Sequence, residues 1–338
     1  MNVLLTMPFG SRLYGTFDEN SDWDWKKLVL PEIEDLLVGV PIKNKFFSSA
    51  SDTVKNTSDD TDTEIIHLQT FARDVLAGQT YALEMMFAVL KGPRHIKGME
   101  LHDDRLQTFC GVLYDEFLTS NINAMVGYAY HQAELYSDKG NRLDKLHQFE
   151  ALLREAMIKV PMTKESKLEV LIGRPELWEP MVDKMFYLTE APNPDGSVQI
   201  CFNLLEKLYP EGITILEAQK RVNSHISKYG RRANQAMENK GKDWKAISHA
   251  VRVTMEAVSV LQNKWMELPF YQDEIELLKK IKYGLMPWEE VQPILVGNID
   301  KLAVLQRDCN LPVSSPELNA KFEAWLREEM MYFYGVRK

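Results

Sequence analysis

The sequence predicts an α+β protein: an α/β N-terminal domain over residues 1–100, followed by a mostly helical domain over 101–338. Three observations predict it. Short apolar runs bounded by Gly, Pro and Asp recur between Val3 and Leu68, as strands do. From about residue 101 onward, apolar residues recur at helical spacing almost throughout. At 338 residues, 45% hydrophobic and 26% charged, the chain can bury sizeable cores and is not a disordered polymer.

The elements follow in order. Val3 to Met7 is a buried strand that ends at Pro8 and Gly10. Ser11 to Tyr14 leaves that turn as a short helix or loop. Asp18 to Ser21 is turn chemistry, and Asp22 to Leu30 is a strand closed by Pro31. Residues 44–62 are rich in Ser, Thr and Asp and read as a mobile loop. Thr63 to Leu68 is a third strand. Thr70 to Ala77 and Ala82 to Leu90 are helices, separated by Gly78 and ended by Gly92-Pro93. Helices are then expected over 105–120, 122–136, 143–160 and 164–172. Prolines 175, 180, 192 and 194 break up a less regular middle, where Ser197 to Phe202 reads as one strand of a hairpin. Helices return over 215–229, 242–268, 272–282 and 287–306. A closing helix starts at Ser315 as N-cap with Pro316 first, and Leu318, Phe322, Trp325, Leu326 and Met330 form its apolar face.

Composition narrows the function classes. A net charge of −9 argues against a uniformly basic nucleic-acid coat, though not against a local basic groove. Cys110, Cys201 and Cys309 share no metal spacing, and with no signal-peptide pattern they predict a reduced, cytoplasmic setting. No apolar run approaches the roughly 18 residues a membrane helix needs, so no membrane partner is expected.

The chemistry concentrates early. Gly10-Ser11 follows the first strand, and a Gly-Ser turn offers backbone N–H groups and a hydroxyl to phosphates. Asp22 and Asp24 share one strand face, because side chains repeat every two residues. Such a pair suits Mg²⁺ (or Mn²⁺), a hard cation that prefers carboxylate and phosphate oxygens. Two-metal phosphoryl-transfer sites call for a third acid. Glu64, opening the next strand, is the first choice; Asp62, on the same face, is the reserve.

Gly10-Ser11 followed by Ser21-Asp22-x-Asp24 resembles the signature of the DNA polymerase β-like nucleotidyltransferase superfamily. The fuller stretch Phe9 to Thr16 and Ser21 to Asp24 resembles the RlaP-type branch associated with RNA repair. Glu64 to Phe71 and Gly78 to Glu84 parallel that branch's acidic strand and its Gly-Asn-Pro…Leu-Glu segment, with Gln79-Thr80 in place of Asn-Pro. Gly127-Tyr128-Ala129 with Gln132, and Lys245, His249 and Arg252, are similar to two of its helices. The resemblance implies a small polymerase-β-like N-terminal fold with a mixed sheet. It implies transfer of NMP from an NTP to an acceptor hydroxyl, with Asp22, Asp24 and Glu64 as metal-binding catalytic acids. It also suggests nucleotide contacts from Tyr14 or Arg12.

The Lys-His-Arg helix can be read without the resemblance. At about 100° per residue, Lys245, His249, Arg252 and Glu256 form one stripe on a helix otherwise apolar nearly all round. A buried helix needs partners for such charges. Either Glu256 and nearby acids supply them, or the stripe lines a cleft that receives phosphates; the cleft is the reading adopted. Residues 218–252 hold nine Lys or Arg against two acids, a local +7 that suggests a cationic wall for a triphosphate. The expected site is therefore Gly10, Ser11, Arg12, Lys245, His249 and Arg252 around the nucleotide, with the acids at the metal. An RNA or tRNA end is the expected acceptor. The alternatives are an NMP-transferring protein modifier of AMPylator or antitoxin type, or a non-catalytic nucleotide- or nucleic-acid-binding module.

Overall fold

The computed structural model describes residues 2–19, 21–39, 43–48, 61–129, 139–159, 162–193, 196–229, 237 and 242–336. It is α+β, and its chain divides into two compact units. One unit comprises Met1–Tyr130 with Ser248–Lys338; the other is His131–Ile247. The division therefore does not fall at residue 100. The last ninety or so residues return to the unit that holds the first strands, a long-range closure that local periodicity does not record.

The first unit is built on a five-stranded sheet. Its strands are β1 (Asn2–Phe9), β2 (Trp23–Leu30), β3 (Lys45–Ser48), β4 (Thr61–His67) and β5 (Glu100–Leu101), in the order β3-β4-β2-β1-β5. β2 and β4 are parallel and the other pairs antiparallel, so the sheet is mixed. A parallel neighbour needs a long crossover, and here the chain between β2 and β4 supplies it. Part of the expected loop at 44–62 is strand: Lys45–Ser48 pairs with β4, and 61–62 belong to β4. Its remainder, 49–60, lies outside the described residues. Phe46 and Phe47 are what a strand needs, but the polar tract after them hides the signal.

Three helices follow β1 and β4 closely: α1 (Ser11–Tyr14), α3 (Leu68–Leu76) and α4 (Thr80–Lys91), with α2 (Ile33–Leu37) between β2 and β3. α4 is buried from Ala82 through Val89, Glu84 included. α5 (Arg105–Phe117) follows β5, and residues 123–129 are helical. The expected helix over 122–136 continues outside the described residues.

The second unit holds α6 (Lys139–Lys159), α7 (Leu168–Ile172), α8 (Pro175–Trp178), strands β6 (Phe186–Pro192), β7 (Val198–Leu204) and β8 (Lys207–Pro210), and α9 (Ile215–Ile226). The expected hairpin strand is the middle of a three-stranded antiparallel sheet. The helix expected over 164–172 shrinks to Leu168–Ile172, because Lys167 bridges to Thr214 as strand. Phe149, Phe186, Phe202 and Tyr209 form this unit's aromatic core, with ring centroids 5.1–5.9 Å apart about Phe149.

The chain then runs through α10 (Trp244–Asn263), α11 (Gln272–Lys282), α12 (Trp288–Asp308) and α13 (Pro316–Phe333). α13 packs Phe322 and Trp325 against Phe109 and Phe117 of α5, with centroids 4.8–5.3 Å apart. Ser315 caps α13 as expected, its hydroxyl accepting from Leu318 N at 3.1 Å. Ser315→Ala should cost about 1 kcal/mol in denaturant unfolding.

Candidate functional site

A cavity of about 430 Å³ opens at the C-terminal end of β1, within the first unit. Gly10, Asp24, Lys26, Asp62, Glu64, Glu84, His249 and Arg252 are among its lining residues. Gly10 has φ 59° and ψ −139°, a region open to glycine. A Cβ there would lie 2.2 Å from Asp24 Oδ2, so the missing side chain is what lets the Asp24 carboxylate sit against the turn. Gly10→Ala should lower stability by about 1–3 kcal/mol, measured by thermal unfolding, and displace Asp24.

Register decides which acid stands beside Asp24. In the parallel β2–β4 pair, Asp24 aligns with Asp62 and Lys26 aligns with Glu64. Neighbouring strands lie about 4.8 Å apart, so Asp24 and Asp62 face the cavity side by side. Asp62 Oδ1 is buried and meets no hydrogen-bond donor among the described residues. Glu64 instead forms an ion pair with Lys26. The Lys26 ammonium also lies 4.4 Å from the Phe9 ring centroid and 4.8 Å from that of Tyr81.

Among the described residues, no three His, Cys, Asp or Glu side chains are close enough to hold a metal ion together. The expected set of Asp22, Asp24 and Glu64 is thus not assembled. Asp24 and Asp62 alone still fit a Mg²⁺ or Mn²⁺ ion, since such ions take one or two carboxylates and complete their shell with phosphates and water. The orphaned Oδ1 and the Gly10 cradle are the observations that favour this.

Arg12 does a different job from the one expected. Its Nη2 donates to Ser21 O at 3.0 Å and its Nε to Asp22 O at 3.3 Å, while its guanidinium lies 3.5 Å from the Trp23 ring centroid. It ties α1 to the start of β2. Among the described residues, Ser11, Arg12 and Asp22 do not line the cavity.

The cavity floor is a buried charge cluster. Arg252 pairs with Glu84 and, at 2.6 Å, with Glu256, and its guanidinium lies 4.0 Å from the Tyr14 ring centroid. Tyr14 Oη donates to Glu84 Oε2 at 3.0 Å. Glu84 and Glu256 are 1% and 0% exposed. Burial pulls the Arg252 guanidinium downward, but Glu256, Tyr14 and Glu84 outweigh it and hold it well above its ordinary value. Burial pushes the Glu256 carboxyl well above the usual carboxylate range, against the opposing pull of Arg252. Burial likewise raises the Tyr14 phenol. The carboxylate partners weighed for the helical stripe are therefore present, and Arg252 meets them while still lining the cavity. His249 lines it too.

Of the nine cations expected to form a wall, Arg252 is, among the described residues, the one that lines the cavity. Lys245 is exposed and belongs to the second unit, and Arg231, Arg232 and Lys240 lie outside the described residues. Sequence reasoning passed over Lys26, whose signal is a lysine among the apolar residues of a strand. It also gave Glu84 no site role, although a lone acid in the otherwise apolar run Ala82 to Leu90 marks a charge that must be partnered.

No protein-family model matches the chain, and no solved structure matches it. It is similar to an uncharacterized 38.9 kDa protein in the nrdC-mobD intergenic region of Enterobacteria phage T4. The two are 27% identical over 313 residues, covering 89% of each chain. Among the described residues, no helix is long and apolar enough to cross a membrane.

Proposed function

We propose that the chain is a cytoplasmic, metal-dependent nucleotidyltransferase that moves NMP from an NTP to the hydroxyl of an RNA end. The observation that carries this reading is the in-register Asp24–Asp62 pair, with its unpartnered Oδ1, set against the Gly10 turn in one cavity. Asp24 and Asp62 would hold a Mg²⁺ or Mn²⁺ ion, whose contribution when bound is to neutralise phosphate charge.

The chain's own residues do the rest. The Gly10 turn, with the Asp24 carboxylate seated against it, and the His249 ring both border the space that would receive the triphosphate. Asp62 Oδ1 accepts the proton of the acceptor hydroxyl. The acceptor oxygen bonds to the α-phosphorus, the bond to the bridging oxygen breaks, and pyrophosphate leaves. Positioning and charge neutralisation supply the rate, as in other phosphoryl transfers. Arg252 is already shared by Glu84 and Glu256, so it acts mainly by holding the floor rigid.

The deciding experiment offers each α-labelled NTP, with Mg²⁺ or Mn²⁺, in the presence and absence of total RNA. Label on RNA is the expected result. Label on protein would move the acceptor to a protein hydroxyl. No label and no pyrophosphate would overturn the reading.

A further inference from the structure

The sheet has a second face near the site; of its residues Trp25 also borders the cavity, while Trp23, Lys27, Lys45 and Phe47 do not line it. Side chains alternate along β2, so Trp23, Trp25 and Lys27 point away from Asp24 and Lys26. Register brings Phe47 to the same face, since both Trp25 and Phe47 align with Thr63 of β4. Trp23 and Trp25 are stacked, with centroids 5.4 Å apart and planes 7° from parallel. Arg12 adds its guanidinium to the Trp23 ring. Trp23, Trp25 and Lys27 are half-buried, Lys45 is exposed, and Phe47 is 55% exposed. The aromatic rings are thus within reach of a ligand rather than sealed in a core.

We infer that this face, formed by Trp23, Trp25 and Phe47 with Arg12, Lys27 and Lys45, binds single-stranded nucleic acid. Flat rings interleaved with cations suit a polynucleotide: bases stack on the rings and phosphates meet the ammonium and guanidinium groups. Protein-binding surfaces are, by contrast, poor in lysine. The position suits an acceptor strand. Trp23 lies between Asp22 and Asp24 in sequence, and Arg12 is two residues past Gly10, so this face begins at the same end of β2 as Asp24, on the other side of the sheet. As the acceptor platform, the face rests on the transfer reading above; as a binding surface, it does not.

The test measures fluorescence anisotropy of labelled single-stranded RNA and DNA of about 10 nucleotides, with a duplex as control, across a salt series. The wild-type chain should bind single strands in preference to duplex, more weakly as salt rises. Phe47→Ala and Trp25→Ala should each weaken binding roughly 5- to 100-fold. Lys27→Glu should weaken it and flatten the salt dependence. Phe47 is exposed, so its truncation leaves the fold intact, which a melting curve verifies. If transfer fails but this binding pattern holds, the platform stands and only the transfer reading falls. Unchanged affinity in both Phe47→Ala and Lys27→Glu would overturn the proposal, as would equal binding of duplex. So would a wild-type dimer in sedimentation that Phe47→Ala splits, since the face would then be covered by a second copy.

Discussion

If the chain is the proposed nucleotidyltransferase, Asp62→Asn should lower NMP transfer by at least about 100-fold, while Glu64→Gln should leave most of it. This is the larger of the two principal expectations, and it follows from register. Asp62 stands beside Asp24 across the parallel pair and buries an oxygen without a donor. Glu64 stands beside Lys26 and is already neutralised by it. Asparagine keeps the shape of Asp62 but removes the charge and the proton acceptor, and losing one preorganised electrostatic group of this kind costs about 10²–10³ in rate. Asp24→Asn should be as damaging. The double variant should be little worse than either single one, because the two carboxylates act as a unit. The measurement is label incorporation from an α-labelled NTP at saturating metal. If Glu64→Gln proves the more harmful variant, the third acid is Glu64 and the register argument fails.

Arg252→Leu destabilises the fold by about 3–5 kcal/mol in denaturant unfolding. Removing one partner of a buried ion pair leaves an uncompensated charge, and here Glu84 would keep none of its cationic partner. Glu256→Gln should instead stay within about 1 kcal/mol of wild type near neutral pH. Two carboxylates share one guanidinium, and burial holds the Glu256 carboxyl above its ordinary range, so removing its charge leaves Arg252 paired with Glu84. A carboxyl held above its ordinary value binds its proton more tightly in the folded chain than in the unfolded one. Its contribution to stability is complete below the unfolded value, about 4.5, and is lost as pH rises toward the folded one. Stability of the wild-type chain should fall over that window, and Glu256→Gln should flatten the fall. An equally steep fall in Glu256→Gln would remove Glu256 as the cause.

Much of the fold was legible because its signals are local. β1 and β2 announce themselves as apolar runs ending in Gly10 and Pro31, and Gln272–Lys282 and the Ser315 cap follow from periodicity and capping chemistry. β6 and β8 were not legible, because proline-rich sequence around them masks strand pairing that only the partner strand β7 completes. The return of the C-terminal helices to the first unit was likewise invisible, since nothing in a window of residues reports closure over more than a hundred positions.

The site divides the same way. The sequence by itself determined the components: a glycine turn, an Asp-x-Asp entry to a strand, an acidic strand after it, and a charged stripe on an apolar helix. These depend on residue type and short spacing alone. Only the tertiary structure decided the pairings. The parallel β2–β4 register put Asp62 rather than Glu64 beside Asp24. The packing of α4 against α10 put Glu84 on Arg252, turning half of an expected phosphate wall into a neutralised floor. Register and burial set those outcomes because a charge responds to whatever lies within a few ångströms, and its neighbours here come from residues 38 and 168 positions away.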